Sequence, residues 1–119
     1  MRRLLANIVR DGGVIRVPAV VLAECYGDSR HNAGYDRALK ALGGAERVVV
    51  DTTAEIAKEA GRLLRAADMN ETIDALVVAT AASSPLRATI VTGDERHVEG
   101  LVCCAERDLG IIYLNDLAS

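Results

Sequence analysis

Apolar residues in this chain fall into short runs, and the residues between the runs predict the elements. The densest run lies in Glu71–Ala81 and continues to Ala82; after Asp74 nearly every residue is apolar, through Ala75, Leu76, Val77, Val78, Ala79 and Ala81. Nothing in it alternates with period two, and Ser83-Ser84-Pro85 stops it after about three turns, so the pattern predicts a helix. A helix that is apolar all round is expected to be buried on all sides. Asn70 or Thr72 is the expected N-cap, which sets Asp74 in the first turn. There the free N–H groups and the macrodipole favour a carboxylate over a carboxylic acid. Taken alone, such an acid does no more than support the start of its helix.

The other elements follow in chain order. Met1–Arg10 carries Leu4, Leu5, Ile8 and Val9 at helical spacing, with Gly12-Gly13 as its expected C-terminal cap. Val14–Val17 reads as a strand, and Pro18 suits the first position of a helix running through Ala19–Tyr26. That helix is apolar except for Glu24, an acid near its C-terminus, where the macrodipole disfavours negative charge. Tyr35–Leu42 predicts a helix ended by Gly43-Gly44, and Arg47–Val50 a strand. Thr52 and Glu55 form an expected capping box for the helix Thr53–Ala67, with Ala57, Ala60, Leu63 and Leu64 on its inner face and Arg62 and Arg65 outside. Thr89–Val91 is a strand; Gly93 lets the chain turn just past it, which leaves Asp94 at the strand's carboxyl edge. A short helix over Glu95–Cys104 and a strand over Ile111–Leu114 complete the series, with Asn115–Ser119 as a tail.

Short apolar strands alternating with helices predict an α/β fold, a mainly parallel sheet of about four strands covered on both faces. At 119 residues the chain is expected to form a single domain, 1–119. Half the residues are apolar, so it is globular rather than disordered. No run approaches the ~20 apolar residues of a membrane span, and no signal peptide opens the chain. Three cysteines without metal spacing read as incidental thiols of a reducing compartment, so a cytoplasmic protein without membrane contact is expected.

The formal charge of −3 argues against a broad basic surface for nucleic acid. Phe and Trp are absent and Tyr occurs three times, which disfavours a base-stacking platform. Twelve arginines stand against two lysines; arginine suits phosphate contacts, but codon bias accounts for most of that excess. A P-loop and a Gly-x-Ser-x-Gly elbow are both missing, and His31 and His97 lack zinc-ligand spacing.

In a parallel α/β sheet the site lies beyond the carboxyl ends of the strands. Asp94 follows a strand end, Glu24 rides on the helix after the first predicted strand, and Asp74 opens a helix that starts on the same side. Three carboxylates are thus expected to converge. Crowded acids raise one another's pKa unless a cation neutralises them. A hard divalent ion takes such oxygen ligands, and its use would be to activate water and to stabilise charge on a phosphate oxygen.

Three segments then carry a family resemblance: Val17-Pro-Ala-Val-Val-Leu-Ala-Glu24, Ile73-Asp-Ala-Leu-Val-Val-Ala-Thr-Ala81 and Ile90-Val-Thr-Gly-Asp94. In order and spacing they resemble the three later acidic motifs of the PIN domain, most closely those of VapC-like toxins of type II toxin–antitoxin pairs. The resemblance implies a three-layer α/β/α fold, Mg²⁺- or Mn²⁺-dependent endoribonuclease activity on RNA, a homodimer, and inhibition by a small antitoxin protein. By position Glu24, Asp74 and Asp94 would be metal-site acids, and Thr92 the hydroxyl residue that orients the site. PIN domains begin with a central strand ending in a first acid, a pattern the chain does not match. On the resemblance, that strand is expected to be missing, about two dozen residues counted as a strand, a turn and a helix. The sheet would then depend on another chain's segment, on a rearranged pairing, or on low stability. Arg96-His97-Val98 stands where the family often has a further Asp and an aromatic residue.

Two other readings differ in class. One is a truncated, catalytically impaired PIN module that binds an antitoxin or associates with itself. The other is a receiver-like domain with Asp51 as phosphoacceptor, which also expects a lysine after the last strand, where Ile111–Asn115 has none.

Overall fold

The computed structural model describes residues 8–26, 47–92 and 97–113. The expected helix Tyr35–Leu42, Asp94 and the tail Asn115–Ser119 lie outside the described residues, as do the side chains of Glu24, Cys25 and His97. Five strands form one sheet: β1 (Ile8–Asp11), β2 (Val14–Pro18), β3 (Arg47–Val50), β4 (Ala88–Thr92) and β5 (Gly110–Tyr113). Their order across the sheet is β3-β2-β1-β4-β5. β2 pairs with β3 in parallel and β4 with β5 in parallel, while β1 runs antiparallel to both of its neighbours. Among the described residues four helices accompany the sheet: α1 (Ala19–Tyr26), α2 (Ala54–Ala67), α3 (Thr72–Ala82) and α4 (His97–Cys104). This mostly parallel, mixed sheet with helices is the α/β architecture that the alternation of runs predicts.

The sequence pattern misplaces one element. Ile8–Asp11 is a strand, not the end of a helix over Met1–Arg10, and it takes the centre of the sheet. Among the described residues the strand count is therefore five rather than about four. Gly12-Gly13 is not a helix cap but a two-residue hairpin turn closed by the pair Asp11↔Val14. Both glycines have positive φ, 55° and 88°, as a type I′ turn requires. Four residues of apolar spacing do not distinguish one turn of helix from a short strand, and a double glycine serves either.

Smaller shifts have local causes. Pro18 closes β2 instead of opening α1; at the last strand residue its missing N–H costs little. Thr53, not Thr52, caps α2, accepting the Ile56 N–H at 3.2 Å. The buried face of α2 is Ile56, Ala60 and Leu63, with Leu64 half-buried and Ala57 exposed. Cys103 is exposed and Cys104 half-buried, both free thiols.

The core is built from aliphatic side chains of every strand pair and of the helices against them. Val9, Ile15, Val17, Val21, Leu63, Val77, Val78, Ile90, Val91 and Leu101 are fully buried, each worth roughly 1.5–3 kcal/mol relative to exposure. α3 is the hub: it packs on β1, β2 and β4 and also against α1, α2 and α4. Arg62 ties α2 to the end of α4, donating from Nε and Nη2 to the Glu59 carboxylate at 2.7 Å and from Nη2 to the Cys104 carbonyl at 3.1 Å. Among the described residues no helix is long and apolar enough to cross a membrane.

Two expectations test this framework. Alanine at Gly12 would have to adopt φ 55° and would bring its Cβ to 2.9 Å from Leu86 Cδ1. Leu86 is exposed and can move aside, so the cost is chiefly backbone strain, about 1–2 kcal/mol in urea unfolding. The hydrogen bonds from Arg62 hold the Glu59 carboxyl below its ordinary range, against a small opposing effect of burial. A lowered carboxylate contributes stability above its unfolded pKa and loses it as pH falls through the folded one. Arg62→Ala should therefore return Glu59 to the ordinary range in a carbon-detected NMR titration and flatten the acid limb of stability between those two values.

Candidate active site

Asp74 stands in the first turn of α3, where the chain starts its most buried helix. Its N-cap is Glu71, between the two expected positions, and Glu71 makes no side-chain capping bond. Asp74 itself is 2 % exposed. Burying a carboxylate is costly unless hydrogen bonds or a cation meet it, and the free N–H groups of a first turn supply part of that.

The direction of α3 decides which edge of the sheet Asp74 reaches. Helix α3 ends at Ala82, and Ser84, two residues on, donates from Oγ to Asp11 Oδ2. Asp11 is the last residue of β1 and pairs with Ala88, the first of β4. The C-terminal end of α3 therefore lies at the edge where β4 begins. Eleven residues of helix span about 16 Å and five of strand about 17 Å, so α3, packed along β4, carries Asp74 back to the level where β4 ends. The residue at that end is Thr92, fully buried. α1 leaves β2 at the same edge and packs against α3.

The run of α3 along β4 thus brings Asp74 toward the edge where β4 ends at Thr92. Glu24 has its backbone on α1, which packs on the helix that bears Asp74; its side chain and the whole of Asp94 lie outside the described residues. Among the described residues no group of three or more His, Cys, Asp or Glu side chains could hold a metal ion. The donor types at this edge, a carboxylate and a hydroxyl, are hard oxygen donors and suit a hard divalent cation.

A second buried acid was not singled out by sequence reasoning. Asp11 is 4 % exposed, and Ser84, its donor, 1 %. Ser84 Oγ also accepts the Leu86 N–H at 3.3 Å, and Arg107 Nη1 donates to the carbonyls of Ser84 and of Ala82, the latter at 3.0 Å. An Asp before Gly-Gly reads as a turn residue, and nothing local links it to a serine 73 positions away. This cluster lies at the opposite edge from Asp74. So does a cavity of about 470 Å³ between α2 and the C-terminal half of α3, lined by Ile56, Glu59, Ala82 and Arg107 among others. The cavity is therefore separate from the candidate site.

In comparison with known proteins, a family model described as PIN domain matches residues 1–99. No curated protein and no solved structure gives a significant match.

Proposed function

The chain belongs to the PIN domain family, whose members are in general divalent-metal-dependent nucleases, and we propose that it is an Mg²⁺- or Mn²⁺-dependent endoribonuclease acting as the toxin of a toxin–antitoxin pair. The observation that carries the reading is the buried Asp74 carboxylate in the first turn of α3, a helix whose length and direction bring that turn toward the carboxyl edge of the parallel strands. Asp74, Glu24 and Asp94 would hold the ion, and Thr92 would orient the carboxylates. The ion would supply Lewis acidity toward a phosphate oxygen and an activated water. Asp74 serves by presenting a charged carboxylate from a helix N-terminus, and its burial keeps that charge in low dielectric, where it attracts a cation more strongly than in water. The protein partner would be a cognate antitoxin. Homodimerisation is supported by Val48 and Val49, which are 39 % and 51 % exposed on the edge strand β3. A cytoplasmic location is consistent with the two free thiols at the end of α4.

A second reading rests on a specific observation. The central strand runs against its neighbours, so its terminal acid, Asp11, lies at the edge away from Asp74. A carboxyl edge without an acid from the central strand favours a catalytically impaired module that still binds an antitoxin or itself.

One substitution examines the nuclease site directly. Asp74→Asn should keep the circular dichroism spectrum and thermal unfolding of a folded protein. It should also weaken Mn²⁺ binding in calorimetry by more than ~10-fold and abolish cleavage of single-stranded RNA. A folded Asp74→Asn protein with unchanged Mn²⁺ affinity would overturn the metal-site reading. Wild-type protein that binds Mn²⁺ but leaves RNA intact would favour the impaired module.

A further inference from the structure

We propose that Ser84 and Arg107 are positioning residues for the candidate site, holding α3 from its far end and thereby fixing where Asp74 stands. The inference rests on the nuclease reading given above. The N-cap residue of α3, Glu71, makes no side-chain capping bond. The exit of α3 is fastened several times over. Ser84 Oγ donates to the buried Asp11 carboxylate, which joins the end of α3 to the end of the central strand. Asp11 Oδ1 has no partner among the described residues, so Ser84 is the donor on which that carboxylate depends. Arg107, from the turn after α4, bonds the carbonyls of Ala82 and Ser84. Ala82 is the last residue of α3, so its carbonyl is one a helix leaves unsatisfied at its C-terminus, and a cation there also meets the negative end of the macrodipole. One helix end is thus clamped to the sheet and to α4, while the other carries the acid.

The geometry makes the clamp matter for chemistry. Ser84 and Asp74 are ten residues apart, about 15 Å along a rigid helix. A tilt of about 4° pivoting at the clamp would displace the first turn by about 1 Å, and a misplacement of that size is worth up to ~100-fold in rate. A role in stability alone would leave the folded fraction fully active.

The test uses the full chain with Ser84→Ala, Arg107→Ala and Arg107→Lys, assayed by single-turnover cleavage of single-stranded RNA and by Mn²⁺ calorimetry. Arg107 is exposed, so Arg107→Ala tests the clamp even where Ser84→Ala does not fold. Arg107→Ala is expected to lower kcat by roughly 10-fold or more, with KM for RNA within about twofold, and Arg107→Lys to recover part of the loss. A lowered Tm with unchanged kcat and Mn²⁺ affinity would overturn the proposal. If the wild-type chain neither binds Mn²⁺ nor cleaves RNA, the nuclease reading fails. The clamp is then judged by residual dipolar couplings of the α3 amides. Reorientation of α3 in Arg107→Ala supports it, and an unchanged axis overturns it.

Discussion

Among the described residues, the parallel pairs β2–β3 and β4–β5 are joined into one sheet only by β1, four residues long, which hydrogen-bonds to β2 on one side and β4 on the other. Two-stranded pairs are marginal on their own. Without β1 the inner edges of β2 and β4 would also present unpaired N–H and C=O groups to a buried region, each a substantial cost. The turn before β2 dictates the direction of this strand. Parallel neighbours need a crossover of a dozen residues or more, whereas two residues can join only an antiparallel pair. Gly12 and Gly13 both sit at positive φ, where other residues are strained. The junction of the sheet therefore depends on a backbone conformation that few sequences allow.

Once β1 is in place, the position of α3 follows from short connections. Only residues 83–87 separate α3 from β4, so the helix must finish where that strand starts and run back along it. Its sequence allows this because almost no polar side chain has to find solvent: Ala75, Val77, Val78, Ala79 and Ala81 are all buried, and Thr80 satisfies its hydroxyl on the Leu76 carbonyl at 2.7 Å. Alanine at several of these positions lets the helix lie close to the sheet and to its neighbouring helices at the same time. The polar exceptions are at the ends, Asp74 at one and Ser83 and Ser84 at the other. An apolar shaft with polar ends transmits position well, since the shaft has no alternative partner in water.

The lengths of the apolar runs and the turn residues between them made most of this legible in the sequence. α2 and α3 are long enough for their pattern to exclude a strand, and Thr89–Val91 and Arg47–Val50 are β-branched runs bounded by turn residues. The carboxyl-edge location of Asp74 followed from the alternation, because successive parallel strands need a helix returning between them, whereas Thr92 was marked only by its resemblance to the PIN motifs. The centre of the sheet was not legible. Leu4, Leu5, Ile8 and Val9 have helical spacing, and Ile8 and Val9 pair as a strand because two neighbouring edges, contributed by segments remote in sequence, wait for a partner. The Thr53 cap shows the same limit at smaller scale. Two adjacent threonines offer the same hydroxyl, and the packing of Ile56 against the core selects between them. The Asp11–Ser84–Arg107 cluster joins three distant segments, a relation no local pattern contains.

The polarity of β1 also decides what each edge of the sheet can do. A strand places the residues at its two ends on opposite edges, so reversing its direction exchanges them. In this sheet the reversed strand delivers Asp11 to the edge where β4 begins, and Ile8, paired with Val91, toward the edge where β4 ends. An acid delivered to the first edge meets the end of α3, whose unsatisfied groups are carbonyls and would repel it. Ser84 resolves that conflict by presenting a hydroxyl donor to the carboxylate, while Arg107 takes the carbonyls. The arrangement neutralises the negative end of the helix with a cation and meets the acid with a neutral donor. Asp11 is thereby committed to the structure of the amino edge, and Asp74 is the buried acid that α3 presents at the carboxyl edge.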